Sequence, residues 1–202
     1  SIPKDGLPPK FDTLYDYWNA APHDKLLGEF TITYIESKQV LEIIRDHNNN
    51  VKIIAILRNP VDRFYSEFNM HNNVKMQWRN ESVEQLLERT DWTEHSHIQK
   101  SLYADKIQYV YDIFDRDNVH FVKYEDFLSD PQTTMDKLFS FLGVNPSLYT
   151  HTDRKIHTIP YIEPIRESSR KTLVDFFMPD IVKVEQLLGW DCADWKQILI
   201  NT

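Results

Sequence analysis

Hydrophobic and polar positions along the chain follow two periods, and each marks out a set of elements. VKIIAIL (51–57) is a continuous β-branched run, too short for a helix, and predicts a buried strand. VHFVKYEDF (119–127) predicts a second. LLGEFTITYIES (26–37) sets Phe30, Ile32 and Tyr34 in alternation, the pattern of a short strand or extended segment. Helical spacing governs most of the rest. SKQVLEIIRDHNNN has apolar residues at Val40, Leu41, Ile43 and Ile44, which suits a helix starting at Ser37 and stopped by the Asn run. After the first strand, Asn59 and Pro60 predict a helix start: a capping side chain, then a proline whose missing N–H costs nothing in the first turn. Val61, Phe64, Tyr65 and Phe68 then form its buried face, and the polar HNNVKMQWRN (71–80) is expected to leave the helix.

SVEQLLER, IQKSLYADKIQYVYDIF and PQTTMDKLFSFLGV each read as one helix. SSRKTLVDFFMPDIVKVEQLLGW reads as a final helix or helix pair closed by Gly189. FDTLYDYWNAA is helix-compatible, and residues 1–12 read as a proline-punctuated arm. Helices between two buried strands predict an α/β fold in three layers, a central, mostly parallel sheet flanked by helices. Ligands of such sheets sit beyond the carboxyl ends of the strands, and Arg58 stands at one such end.

Bulk properties narrow the classes. With 202 residues and 24.1 kDa, one domain over 1–202 is expected, large enough for a core without staples. No apolar run reaches the ~18 residues that span a bilayer. No signal peptide is visible at Ser1, and the missing initiator Met suggests a trimmed or incomplete product. Cys192 is the only cysteine, which excludes an internal disulfide and a Cys-based metal cluster and suits a reducing compartment. A net charge of -8 argues against general nucleic-acid binding, but leaves room for a local pocket for one small anion.

The run IIAILRNPVDRFYSEF offers that pocket. A helix N-terminus favours an anion through its unpaired N–H groups and dipole, and Arg58 adds a guanidinium fork suited to phosphate or sulfate. Ser66 lies on the helix face carrying Asp62, away from Val61 and Phe64, so one phosphate fits between Arg58 and Ser66. The spacing serves equally well an Arg58 paired with a neighbouring carboxylate and a Ser66 facing water.

AILRNPVDRFYSEF resembles the 3′-phosphate-binding segment of sulfotransferases that use 3′-phosphoadenosine-5′-phosphosulfate (PAPS). KLLGEFTITYIES, IQKSLYADKIQYVYDIF and VHFVKYEDFLSDPQTTMDKLFSFLGV resemble further segments of that family in the same order, so the likeness covers most of residues 14–190. The resemblance implies a P-loop-kinase-like fold and no metal. It implies that Arg58 and Ser66 grip the donor's 3′-phosphate, that Glu29 is the general base, and that adenosine 3′,5′-bisphosphate (PAP) leaves. His71 and His23 are fallback bases, because Phe30 stands where many relatives have Lys. Arg154 and Lys155, with His157, form the late basic cluster expected to close over the nucleotide.

One element of the family is missing: a Lys-x-Gly-Thr-Thr loop for the 5′-phosphosulfate. IPKDGLPPK lacks the Thr pair, and Lys4 is too close to Arg58, so the cradle is expected to precede Ser1. The acceptor is expected to be a small hydroxylated molecule or a glycan, with Trp78 and Trp92 as candidates for stacking on it. A cytoplasmic location is favoured, with the Golgi lumen the alternative for a longer eukaryotic precursor. The rivals are a non-catalytic module binding PAP or another anion and, more remotely, a nucleotide phosphotransferase, for which no Gly-x-x-x-x-Gly-Lys-[Ser/Thr] loop is present.

Overall fold

The computed structural model of the chain describes residues 25–74, 81–146, 161 and 164–198. The 1–12 arm, the FDTLYDYWNAA segment, His23, Trp78, Arg154, Lys155 and His157 lie outside the described residues. Strands β1 (Ile53–Leu57) and β2 (Val119–Lys123) pair in parallel, Ile53 opposite Val119 and Leu57 opposite Lys123. Parallel strands need a long crossover, and the intervening residues supply it with helices.

Those helices are α1 (Lys38–His47), before β1, then α2 (Pro60–Val74), α3 (Val83–Leu87), α4 (Ser96–Lys100) and α5 (Ala104–Ile113). After β2 come α6 (Tyr124–Ser129), α7 (Pro131–Leu142) and α8 (Glu167–Leu188). Caps fix several of their ends. The Ser37 hydroxyl accepts from the Val40 N–H, and Asp130 accepts from Thr133. Gly143 and Gly189 take left-handed φ of 70° and 68° after α7 and α8, where any Cβ would be strained.

The main core gathers Leu57, Val61, Phe64, Phe68, Leu86, Ile98 and Ile107 against the α8 residues Leu173, Phe177, Ile181 and Val184, with Trp195 closing it. A second cluster joins Leu41 of α1 to Val110 and Phe114 beside β1 and β2. The other sheet face is covered over β2, where His120 stacks on Phe141 of α7 at 5.1 Å. Over β1 nothing among the described residues covers it, and Ile54 and Ile56 are 42% and 53% exposed. The expected α/β class, a parallel sheet flanked by helices, therefore holds.

Three expectations change. Residues 26–33 form no strand; Phe30 and Ile32 point into solvent, and only a 3-10 turn at Tyr34–Glu36 follows. Alternation alone does not make a strand without a partner to pair with. The helix after β1 continues through His71 to Val74, with the His71 ring nitrogen Nδ1 bonded to the Glu67 carbonyl at 3.0 Å. IQKSLYADKIQYVYDIF is two helices, α4 and α5, because the Asp180 carboxylate of α8 accepts the N–H groups of Tyr103 (2.8 Å) and Ala104 (3.0 Å) and starts a new helix there. The last segment takes one of its two expected forms, a continuous helix closed by Gly189 despite Pro179 in its interior.

Candidate anion site at the end of the first strand

The turn from β1 into α2 is held from three directions. The Asn59 N–H donates to Glu125 Oε1 at 2.9 Å, and the other oxygen of Glu125 accepts the indole N–H of the fully buried Trp195 at 3.0 Å. The Tyr103 hydroxyl donates to the Arg58 carbonyl at 2.9 Å. Burial drives the Tyr103 phenol far above its ordinary pKa, so it remains a proton donor. Asn59 caps the helix as expected, its Oδ1 accepting from Val61 at 3.0 Å and Asp62 at 3.3 Å.

That cap revises how an anion can be held here. Pro60 has no N–H, those of Val61 and Asp62 belong to the Asn59 side chain, and that of Arg63 bonds the Asn59 carbonyl at 2.8 Å. The expected unpaired backbone donors are thus already used, and what remains for a ligand is the helix dipole and nearby side chains.

Among those side chains Arg58 stands apart. Its guanidinium lies over the Tyr124 ring, 5.2 Å from the centroid, and among the described residues it has no carboxylate partner. Two cations, Arg170 and Lys123, are neutralised among the described residues. Arg170, buried, donates to Asp62 Oδ1 at 2.7 Å and to the Gln197 carbonyl at 3.3 Å. Lys123, at the end of β2, donates to the Asp191 carbonyl and to Asp194 Oδ1, both at 2.7 Å. Burial would lower the Lys123 pKa, but Asp194 outweighs it and raises it.

Of the two ways to read Arg58, the ion-paired one finds no support among the described residues. Ser66, two turns into α2 and half-buried, likewise has a hydroxyl with no hydrogen-bond partner among them. It follows Asp62 by one helical turn, so its face is the expected one.

Tyr124 and Glu125 were missed as site residues. They belong to the YEDF run, and their roles explain why it accompanies the Arg-Asn-Pro turn: Tyr124 underlies the guanidinium and Glu125 holds the next N–H. The sequence signals were their place at the carboxyl end of the second strand and the family likeness of the VHFVKYEDF segment that contains them.

Glu29 sits in the irregular segment before the 3-10 turn, exposed, and accepts the Thr31 hydroxyl at 2.6 Å. The Tyr34 hydroxyl is beside the same pair; its pKa is raised by burial first and by the Glu29 charge as well. The Glu, Thr and Tyr of this segment thus converge, and Glu36 anchors it to Lys106 of α5 at 2.8 Å. Among the described residues no hydrogen bond or ion pair connects Glu29 to Arg58 or Ser66.

His71 belongs to a separate cluster with Glu67 and His97. Burial alone would raise the Glu67 pKa, but the nearby His97 ring, the Lys100 hydrogen bond and the Arg63 charge hold it well below the usual range. Trp92 packs edge-on against Phe176 at 4.9 Å, a core contact rather than a free stacking surface.

Comparison with known proteins follows the same outline. The sulfotransferase domain family matches residues 36–168. Human carbohydrate sulfotransferase 15 is 25% identical over 184 residues, 77% of this chain and 33% of that protein. The membrane-associated sulfotransferase kil1 of Dictyostelium discoideum is 27% identical over 94 residues, 46% of this chain and 20% of that one. The chain thus spans a third or less of the length of these two relatives. The crystal structure of a sulfotransferase from Alicyclobacillus acidocaldarius matches with a TM-score of 0.76 at 25% identity, over 92% of this chain and 74% of that one. Among the described residues no helix is long and apolar enough to cross a membrane. With the family match running from the turn before α1, through both strands, to the start of α8, the chain belongs to the sulfotransferase-domain family.

Proposed function

We propose that this domain transfers a sulfuryl group from PAPS to a hydroxyl or amine of a small-molecule or glycan acceptor. Arg58 and Ser66 hold the 3′-phosphate, Arg154 and Lys155 help hold the nucleotide, and Glu29 takes the acceptor proton. A bond forms between the acceptor oxygen (or nitrogen) and sulfur, the bond from sulfur to the bridging oxygen of PAP breaks, and PAP carries the electron pair away. Positioning and neutralisation of spreading negative charge carry such a reaction, and the chemistry needs no metal. The single Cys192, buried and unpaired, suits a cytoplasmic location.

The observation that carries this reading is the half-buried Arg58, free of any carboxylate among the described residues while Arg170 and Lys123 are neutralised. The test is calorimetric titration of PAP into the chain and into Arg58→Ala. Losing a charge-assisted contact should cost about 1.5–3 kcal/mol, at least about tenfold in affinity. Equal affinities would remove Arg58 from the site. For Glu29, Glu29→Gln should lower turnover with the donor saturating while PAP affinity is kept; normal turnover would end its role as base.

A second reading has its own support. Among the described residues the exposed Glu29 has no bond to the Arg58 turn, and no phosphosulfate cradle is found in the sequence, as in a PAP- or anion-binding module without catalysis. Sulfate transfer from PAPS to any acceptor would dispose of it.

A further inference from the structure

We propose that Glu67, His71 and His97 form a binding site for one zinc-like transition-metal ion, with Lys100 as the cation that the metal displaces. Their candidate ligand atoms lie within 4.8 Å of one another. Glu67 and His71 are one helical turn apart on α2, and His97 reaches them from α4. Two imidazoles and a carboxylate suit zinc and its neighbours rather than magnesium or calcium, and they leave a fourth position for water.

Two features of the cluster are those of ligands. The Glu67 carbonyl can only accept, so Nδ1 of His71 donates in the 3.0 Å bond between them, and Nε2 is the ring atom left to offer a metal. Metal-binding histidines are oriented by an outer partner of this kind. His97, only 9% exposed, has its Nδ1 buried and without a hydrogen-bond partner, although it lies 3.3 Å from Glu67 Oε1. A buried polar atom left in this state calls for a partner, and a metal ion supplies one.

Ion pairing alone explains less. Glu67 is neutralised by Arg63 on Oε2 and Lys100 on Oε1, each at 3.0 Å, but neither contact satisfies His97. Arg63 is tied down by the Ser101 hydroxyl at 3.0 Å and stays as an outer-shell neighbour. The Lys100 side chain is 36% exposed and, among the described residues, bonded only to Glu67, so it can swing into water when a cation arrives. The site therefore has a built-in competitor. Removing Lys100 should improve metal binding, which no purely structural role of the cluster would produce.

The test uses the full chain without an affinity tag: zinc is titrated calorimetrically and in competition with a chromogenic chelator, with magnesium as control. The expected result is one zinc per chain and no magnesium. His71→Gln, at a half-exposed ring that can change without emptying the core, should weaken zinc binding at least about tenfold. Lys100→Met should tighten it, and zinc should raise the melting temperature of the wild type but not of His71→Gln. No zinc binding, binding unchanged in His71→Gln, or Lys100→Met binding no more tightly than wild type would each overturn the proposal. Because PAP plays no part, these outcomes are independent of the donor-site reading.

Discussion

Replacing Glu125 by glutamine tests whether the turn carrying Arg58 is braced from the second strand. The carboxylate receives two N–H groups, one from Asn59 at 2.9 Å and one from the Trp195 indole at 3.0 Å. Asn59 is 3% exposed and Trp195 fully buried, so water cannot replace a lost acceptor at either. Glutamine keeps one oxygen and turns its amide N–H groups toward the other donor. One hydrogen bond to an ionised acceptor is lost, worth about 1.5–3 kcal/mol, and a buried donor is left unpaired. We expect a destabilisation of about 2–4 kcal/mol, a large share of a typical ~5–15 kcal/mol total. Urea unfolding followed by tryptophan fluorescence reads this as a lower midpoint at unchanged slope. PAP affinity should fall as well, since Asn59 adjoins Arg58. A Glu125→Gln protein with an unchanged urea midpoint would refute the brace. Weaker PAP binding at full stability would mean that Glu125 meets the ligand directly.

Two further expectations follow from buried groups. Asp62→Ala leaves the Arg170 guanidinium buried with, among the described residues, only the Gln197 carbonyl; because Asp62 is one-third exposed, the cost should sit near the low end for a broken buried pair, about 3 kcal/mol, measurable in the same urea titration. Burial pushes the Cys192 thiol up to about 11, so at pH 8 a thiol reagent should modify the folded chain far more slowly than the urea-unfolded chain; equal rates would show that the C-terminal segment opens readily.

What the sequence disclosed was local. Ser37, Asn59 and Pro60 announce helix starts because a cap is written within three residues of its helix. β1 was legible from its continuous apolar run and β2 from its second such run, and the order of elements followed. Bonds across long separations were not legible. Glu125 meets Asn59 across 66 positions, and Asp180 starts α5 from more than 70 positions away, so neither has a spacing that a periodicity reveals. Residues 26–33 failed for a related reason, since a strand depends on a partner that its own pattern does not encode. The site divides in the same way. Arg58 and Ser66 are proposed from the strand end and the helix face, whereas the places of Tyr124 and Glu125 and the capped state of the backbone donors needed the fold.

The uncovered isoleucines of β1 give Arg58 a second occupation. IIAIL is a short, uncharged, β-prone window with Ile54 and Ile56 at the surface, the kind of segment through which chains stack into aggregates. Lys52 on one side and Arg58 on the other are the charges that flank it, placed as gatekeepers. Arg58, proposed above to hold the donor's phosphate, is therefore also placed to keep newly made chains apart. Arg58→Lys separates the two duties: it retains the flanking charge and with it solubility, while giving up the planar fork.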